Sequence, residues 1–270
     1  MPADRPDRLA KAFTRGADAV IADLEDSVAP DSKDEALGQL QHWLTTLKDT
    51  NVPIWVRVNS GDRQEAELQS LAGERAVTGF VLPKVESAGQ LSTASSNLRQ
   101  SDQPKLLAPL IESATGLVEI HAIARAKYVY QLHLGEMDLA ADLDLTRAED
   151  GSEFLYARSI VVIASRSAGL VAPSAPVSAN IDDLPSFEAT TSALRHLGFH
   201  GRDCIHPAQV AISNAVMAFS AAEVAWASNL LREAESKRGA FRATDGTMVD
   251  EAVLRRARQI AQQSSLVTSR

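Results

Sequence analysis

The chain has a single cysteine, Cys204, in 270 residues. One thiol excludes an intramolecular disulfide framework and fits a reducing compartment. Positive charge is also scarce: 27 Lys and Arg stand against 35 Asp and Glu, giving a net charge of -8. That balance repels phosphate backbones, so no nucleic-acid partner is expected. Long apolar runs are missing too, since the most apolar region, residues 154 to 177, is cut by Arg158 and Arg166. With no basic-then-apolar leader at its start, the chain is expected to be cytoplasmic and not to engage a membrane. No Gly-rich phosphate loop follows the first apolar run, and no HExxH or paired-cysteine spacing offers a zinc site.

What remains is an ordinary globular composition, 45% apolar and 23% charged, in a chain long enough for one large core. Short β-branched runs alternate with helix-length amphipathic segments, the pattern of a parallel sheet with crossover helices. Strands are predicted near 19–24, 53–58, 79–83, 106–111, 128–134, 170–177 and 202–206, with helices between them. Seven strands fall one short of a closed parallel barrel. The chain opens on a loop and helix, MPADRPDRLAKAF, as though just past a strand. The expected fold is therefore α/β, a (β/α)8 TIM barrel with its first strand missing or truncated. Residues 1–218 form that barrel, and 219–270 form a C-terminal helical extension packing on or near a neighbouring subunit. Within the extension, turn residues from Gly239 to Asp250 separate the last two helices.

Barrel enzymes keep their active sites at the C-terminal ends of the strands. Those positions here read Asp23, Glu25 and Asp26, then Arg57 and Asn59, then Lys84 and Glu86, then Glu112, Asp138 and His206. Nearly every predicted strand ends in an ionisable residue. Clustered carboxylates behind a buried strand are either solvated or neutralised; Arg57, Lys84 and the water shell of a metal would neutralise them. Glu112 and Asp138 end consecutive predicted strands, and two carboxylates at that separation suit Mg²⁺, which fills its octahedron with water and substrate oxygens. The other reading open to either acid is an N-cap of the following helix. For Arg57 it is a structural ion pair with the acidic cluster. DLDLT, Asp142 to Thr146, matches a phosphatase pattern but follows a helical segment instead of a strand, and is discounted.

Eight motifs in order, PADRPDRLAKA, GADAVIADLEDSVAPDSKDEA, VRVN, VLPKVES, LIESATG, LGEMDLAADL, GFHGRDCIHPAQ and GTMVD, span nearly the whole chain. Through them it resembles the citrate lyase β-subunit-like family of the HpcH/HpaI aldolase superfamily. The resemblance implies a (β/α)8 barrel assembled as a homotrimer or hexamer. It implies Mg²⁺ held by Glu112 and Asp138, Arg57 on the substrate's carbonyl or carboxylate oxygens, and Arg5 at the mouth near the thioester. Glu25 and Asp26 would order metal-bound water, and Asp250 would reach a neighbouring subunit's site for acid/base catalysis. Together these give a catalytic set of Arg57, Asp250 and Glu25 and a substrate-binding set of Arg5, Arg57, Lys84 and Asp26.

The activity so implied is carbon-carbon cleavage in a 3-hydroxyacyl-CoA thioester of malyl-CoA, citramalyl-CoA or citryl type. The alternatives are a malyl-CoA-type thioesterase, a free-acid 4-hydroxy-2-oxo-acid aldolase acting on a 2-oxo-acid substrate, and a non-catalytic subunit of a lyase complex. Two positions depart from the family pattern: Asp144 where relatives often have Gly, and Ser174 where an aspartate is common.

Overall fold

The computed structural model describes residues 1–47, 50–98, 104–148, 150–237 and 239–268. The chain divides into two compact units, Met1–Val216 and Met217–Arg270.

In the first unit, strands and helices alternate: α1 (Pro6–Ala12), β1 (Val20–Asp23), α2 (Lys33–Thr46), β2 (Ile54–Arg57), α3 (Asp62–Leu71), β3 (Val77–Leu82), α4 (Ala88–Asn97) and β4 (Leu106–Ile111). They continue through α5 (Ala114–Val118), α6 (Ile120–Ala124), β5 (His133–Leu134), α7 (Glu136–Asp142), α8 (Leu155–Ser167), α9 (Leu184–Leu197) and α10 (Pro207–Met217). The strands form one parallel sheet in the order β1-β2-β3-β4-β5. Isolated parallel bridges extend it on both sides, Pro2 to Asp23 at one edge, then His133 to Ser174 and Ala175 to Arg202 at the other. The result is a parallel α/β sheet curled into a half-barrel with helices around it. Among the described residues, no bridge joins the Arg202 segment to the Met1–Ala3 segment.

The strands are buried on both faces, as parallel sheets require. One face packs Val20, Ala22, Ile54, Val56, Phe80 and Leu107 toward the helices. The other lines the curled interior with Trp55, Val81, Ala108 and Leu110, against which Ile21 and Leu106 pack. Gly79 lies beside Trp55 in the register. A Cβ there would come within 2.6 Å of the indole and 2.4 Å of the Leu106 carbonyl, so the ring takes space that only a glycine leaves.

The predicted later strands are shorter than the sequence pattern suggests. Of 128–134 only His133–Leu134 is strand; Tyr128 turns into the left-handed region at φ 69°. Of 170–177 only Ser174 and Ala175 form bridges, because Pro173 and Pro176 have no N–H to give to a ladder. Of 202–206 only Arg202 bridges.

The second unit contains α11 (Ala221–Ala234), β6 (Phe241–Arg242), β7 (Met248–Val249) and α12 (Glu251–Thr268). Its core is Ala227, Leu230, Ala243, Val249, Ala257 and Ile260. The segment from Gly239 to Asp250, read from sequence as plain turn, is a short antiparallel ribbon pairing Phe241 with Val249. The apolar stretch Pro207–Ala234 is not one spanning helix. Ser220 breaks it with a capping box on Glu223, leaving helices of 11 and 14 residues. At 1.5 Å per residue, neither reaches across a hydrocarbon core of about 30 Å.

Candidate active site

Parallel register places Asp23 opposite Arg57 at the C-terminal ends of β1 and β2, two residues beyond the interior pair Ile21 and Trp55. Side chains two apart on a strand share a face, so both point inward. Arg57 donates from Nε to Asp23 Oδ1 at 2.6 Å and from Nη2 to Asp23 Oδ2 at 2.7 Å. Its Nη1 lies 3.0 Å from Glu25 Oε2 and donates to Asp26 Oδ2 at 3.4 Å. Burial pushes the Asp23 carboxyl up, but the Arg57 hydrogen bonds win and hold it below the usual range. Asp23 also accepts from the backbone N–H groups of Glu25 and Ser27, so it shapes the turn that carries the acidic cluster. The ion pair anticipated for Arg57 is present, and it aims the guanidinium at the strand ends.

The loop behind β1 is fastened from a second side. Lys33 Nζ donates to the carbonyls of Leu24 and Glu25, at 3.1 and 3.0 Å, and to Asn59 Oδ1. Asn59 in turn donates to buried Glu67 from its backbone, at 2.7 Å, and from its amide, at 2.6 Å. Glu25 is thereby held with its carboxylate buried, and Oε2 makes no aligned hydrogen bond. Desolvation, reinforced by Asp26, Glu112 and Asp23 against the opposing pull of Arg57, pushes its pKa up to about 7.

Glu112 follows β4, buried, at the next inward position after Leu110. Its Oε1 accepts the backbone N–H of Lys84 at 2.7 Å. Lys84 presents that N–H from a left-handed conformation, φ 54°, while its side chain is exposed. Gly135 lies against the same carboxylate, where an added Cβ would stand 2.6 Å from Oε2. Burial raises the Glu112 pKa to about 7, and the nearby charge of Asp138 adds to the rise. The N-cap role left open for Glu112 falls to Ser113, whose hydroxyl accepts from Gly116 N–H at 3.1 Å.

Asp138 does not end a strand. It sits exposed in the first turn of α7, whose N-cap is Gly135, and it makes no cap itself. The structure brings Glu112 and Asp138 close enough for one charge to raise the other's pKa. No group of three or more His, Cys, Asp or Glu is placed to share a metal among the described residues. A pair of oxygen ligands completed by water and substrate fits Mg²⁺ and does not fit zinc.

Other expected site residues are placed as follows. Arg5 is exposed and pairs with Asp7 at 3.1 Å. Asp26 is exposed beside Arg57. Asp250 belongs to the second unit, exposed, and its Oδ1 accepts from Val253 N–H at the start of α12.

Sequence reasoning missed two clusters. Glu136, buried at the start of α7, takes two hydrogen bonds from Arg158, at 2.6 and 3.0 Å, which locks the helix bearing Asp138 onto α8. Within the curled sheet, His133 Nδ1 lies 2.8 Å from Asp203 Oδ2, and Ser174 Oγ donates to Asp203 Oδ1 at 2.7 Å. A histidine at an inward position next to a strand end was the available signal.

A curled parallel sheet ringed by helices, with carboxylates gathered about one arginine at the strand ends, defines an α/β enzyme of the barrel type. The chain belongs to the HpcH/HpaI aldolase/citrate lyase family, whose profile matches residues 1–207. It is 34% identical to a citrate lyase subunit beta-like protein of Mycobacterium tuberculosis, covering 99% of this chain and 95% of that one. It is 30% identical to the L-malyl-CoA/beta-methylmalyl-CoA lyase of Cereibacter sphaeroides, covering 99% and 94%. The crystal structure of M. tuberculosis CitE with magnesium, acetoacetate and coenzyme A superposes with a TM-score of 0.80 at 33% identity, covering 98% of this chain and 96% of that one. Magnesium is thus a cofactor of this family, and its members include CoA-ester lyases.

Proposed function

We propose that this chain is a Mg²⁺-dependent lyase cleaving a carbon-carbon bond in a 3-hydroxyacyl-CoA thioester of malyl-CoA, citramalyl-CoA or citryl type. The observation that carries the reading is buried Glu112, pinned by the Lys84 N–H and coupled in charge to Asp138. A carboxylate kept dry beside a second acid is costly unless a cation joins them. The lyase and CoA-bound relatives support the choice of substrate class.

Glu112 and Asp138 would hold the metal, which supplies positive charge against the substrate oxygens that become negative as the enolate forms. Arg57 adds a fixed positive charge, oriented by Asp23, toward the same carbonyl or carboxylate oxygens. Glu25 and Asp26 order water at the site. Arg5 and Lys84, both reaching solvent, give the anionic thioester substrate its positive partners. Asp250, supplied by a neighbouring copy in a cytoplasmic homotrimer or hexamer, moves the proton at the thioester α-carbon.

The test is Glu112→Ala, assayed for Mg²⁺ binding by calorimetry and for cleavage of malyl-CoA and citramalyl-CoA. Both are expected to be lost. Full activity in that variant, or in the wild type under excess chelator, overturns the reading. Release of free CoA thiol without an oxo-acid or aldehyde product would identify a thioesterase instead, and turnover of free 4-hydroxy-2-oxo acids alone an aldolase.

A further inference from the structure

The Ser174, Asp203 and His133 cluster occupies the interior of the curled sheet, apart from the acid-rich side built by β1 and β2. His133 pairs in register with Leu110, one inward step below Glu112 on the neighbouring strand. Ser174 bridges His133 from the other side. Strand alternation therefore turns His133 and Ser174 toward the same interior that Glu112 and Arg57 face. Asp203 follows Arg202, whose own side chain points the other way, onto the ring of Phe187 in α9. The field of Arg57 reaches Asp203, which places the carboxylate on the interior side as well.

The order of hydrogen bonds fixes the chemistry. Ser174 Oγ donates to one oxygen of Asp203 and His133 Nδ1 faces the other. Burial pushes the Asp203 carboxyl up, yet His133, Ser174 and Arg57 together hold it below the usual carboxylate range. An ionised carboxylate only accepts, so the imidazole must carry its proton on Nδ1. In the neutral ring the lone pair is then on Nε2, which has no protein partner among the described residues. Nε2 is not among the buried side-chain atoms left without a partner, so it faces open space that a substrate oxygen can enter. The cluster spends two partners on orienting a buried histidine and leaves its basic nitrogen open.

Resting on the lyase reading above, we propose that His133 is a catalytic base of this site, its Nε2 taking the proton of the substrate's 3-hydroxyl, with Asp203 and Ser174 as its positioning residues. As that proton moves to Nε2, the O–H electron pair becomes the second bond of a carbonyl. The bond between the hydroxyl-bearing carbon and the thioester α-carbon breaks, and its electron pair passes to the α-carbon as the enolate. The α-carbon then takes a proton from the acid assigned above to Asp250; His133 releases its proton to solvent and Asp250 takes one back from solvent, so no net proton is gained or lost. Asp203 balances the imidazolium charge during the step. In the condensing direction the same nitrogen gives the proton back to the alkoxide.

The test combines kinetics with a readout that needs no turnover. His133→Asn keeps an amide N–H toward Asp203 but removes the base; kcat is expected to fall about 10²- to 10⁴-fold with KM within a few-fold. Asp203→Asn, checked for folding by its Tm, is expected to lower kcat similarly by releasing the tautomer. In ¹⁵N NMR of labelled imidazoles, with His133→Asn giving the assignment, His133 is expected as the Nδ1–H tautomer. Its Nε2 resonance is expected to move when pyruvate and Mg²⁺ are added. An unchanged kcat in His133→Asn, a proton on Nε2 at neutral pH, or an Nε2 resonance indifferent to saturating pyruvate overturns the assignment. If the wild type cleaves no acyl-CoA thioester, the lyase reading fails. The resonance then decides alone: movement keeps His133 as an oxo-acid contact, and none removes it.

Discussion

Arg57 spends two of its three nitrogens on Asp23, the residue directly opposite it on the neighbouring parallel strand. The guanidinium and carboxylate planes meet in two parallel hydrogen bonds, the strongest geometry open to this pair. Asp23 is 8% exposed and Arg57 22%, so water does little to stabilise either partner alone. The pair sets where the guanidinium stands that faces the carboxylates of the acidic cluster.

Breaking that pair should therefore be costly. Asp23→Ala is expected to lower the free energy of unfolding by about 3 kcal/mol, since the arginine is left part-buried without its main partner. Urea titrations of Asp23→Ala, Arg57→Met and the double variant measure it. The double variant is expected to lose clearly less than the sum of the single losses. Additive losses would show that the two side chains contribute independently.

Two acids in this site have their pKa raised from the ordinary 4.5 to about 7, Glu25 and Glu112. Between those values the folded chain keeps protons that the unfolded chain has released, so stability without metal falls as pH rises through that window. Below it both states are protonated and the effect vanishes; above it the full cost is felt. Each group accounts for a change on the order of 3 kcal/mol, and the charge of Glu112 adds to the rise at Glu25. Melting temperatures from pH 5 to pH 8 are expected to decline. Glu25→Gln should flatten the decline, and Mg²⁺ should oppose the part due to Glu112. A melting temperature that rises with pH over this range would contradict the burial of both carboxylates.

The early strands were legible because β1 to β4 are mostly apolar runs, and a run buried on both faces looks much the same in sequence as in structure. Later pairing was not, because prolines at 173 and 176 and the left-handed Tyr128 shorten the segments to bridges. The ribbon of β6 and β7 escaped notice since two-residue strands have no period to detect; the Asp245-Gly246 pair was its sole turn signal. In the site, Glu112 was readable as an acid closing an apolar strand. Asp138 was readable as an acid but not as a helix residue, because β5 is only two residues long. His133 sits inside QLHL, where an inward histidine looks like any strand residue until Asp203, 70 positions away, is brought beside it.

Lys84 separates backbone from side chain. Its N–H holds Glu112 from a left-handed conformation, which glycine adopts freely and proline cannot. Lys84→Gly is expected to keep Mg²⁺ affinity within a few-fold and stability within about 1 kcal/mol. Lys84→Pro removes the donor and the allowed φ together, and is expected to lower both. Calorimetric Mg²⁺ titration and thermal melts compare the two. A rise in KM for the thioester in Lys84→Gly, with metal binding intact, would assign the exposed ammonium to the substrate.

Gly135 offers the most local test of the Glu112 carboxylate. At φ -98° its backbone lies outside the left-handed region, so an alanine there meets no positive-φ strain. The new methyl, however, would lie 2.6 Å from Oε2 and 2.7 Å from Cβ of Glu112. Those contacts are too short to keep, and Glu112 is held on its other side by the Lys84 N–H, so the carboxylate must turn away from its present position. Gly135→Ala is thus expected to weaken Mg²⁺ binding about 10- to 100-fold, as loss of a ligand's orientation does at metal sites. The fold should survive, with a loss of about 1 to 3 kcal/mol from overpacking. Calorimetry with Mg²⁺ on the folded variant measures the first and urea unfolding the second. Unchanged affinity would mean that the metal does not use Glu112 in this orientation.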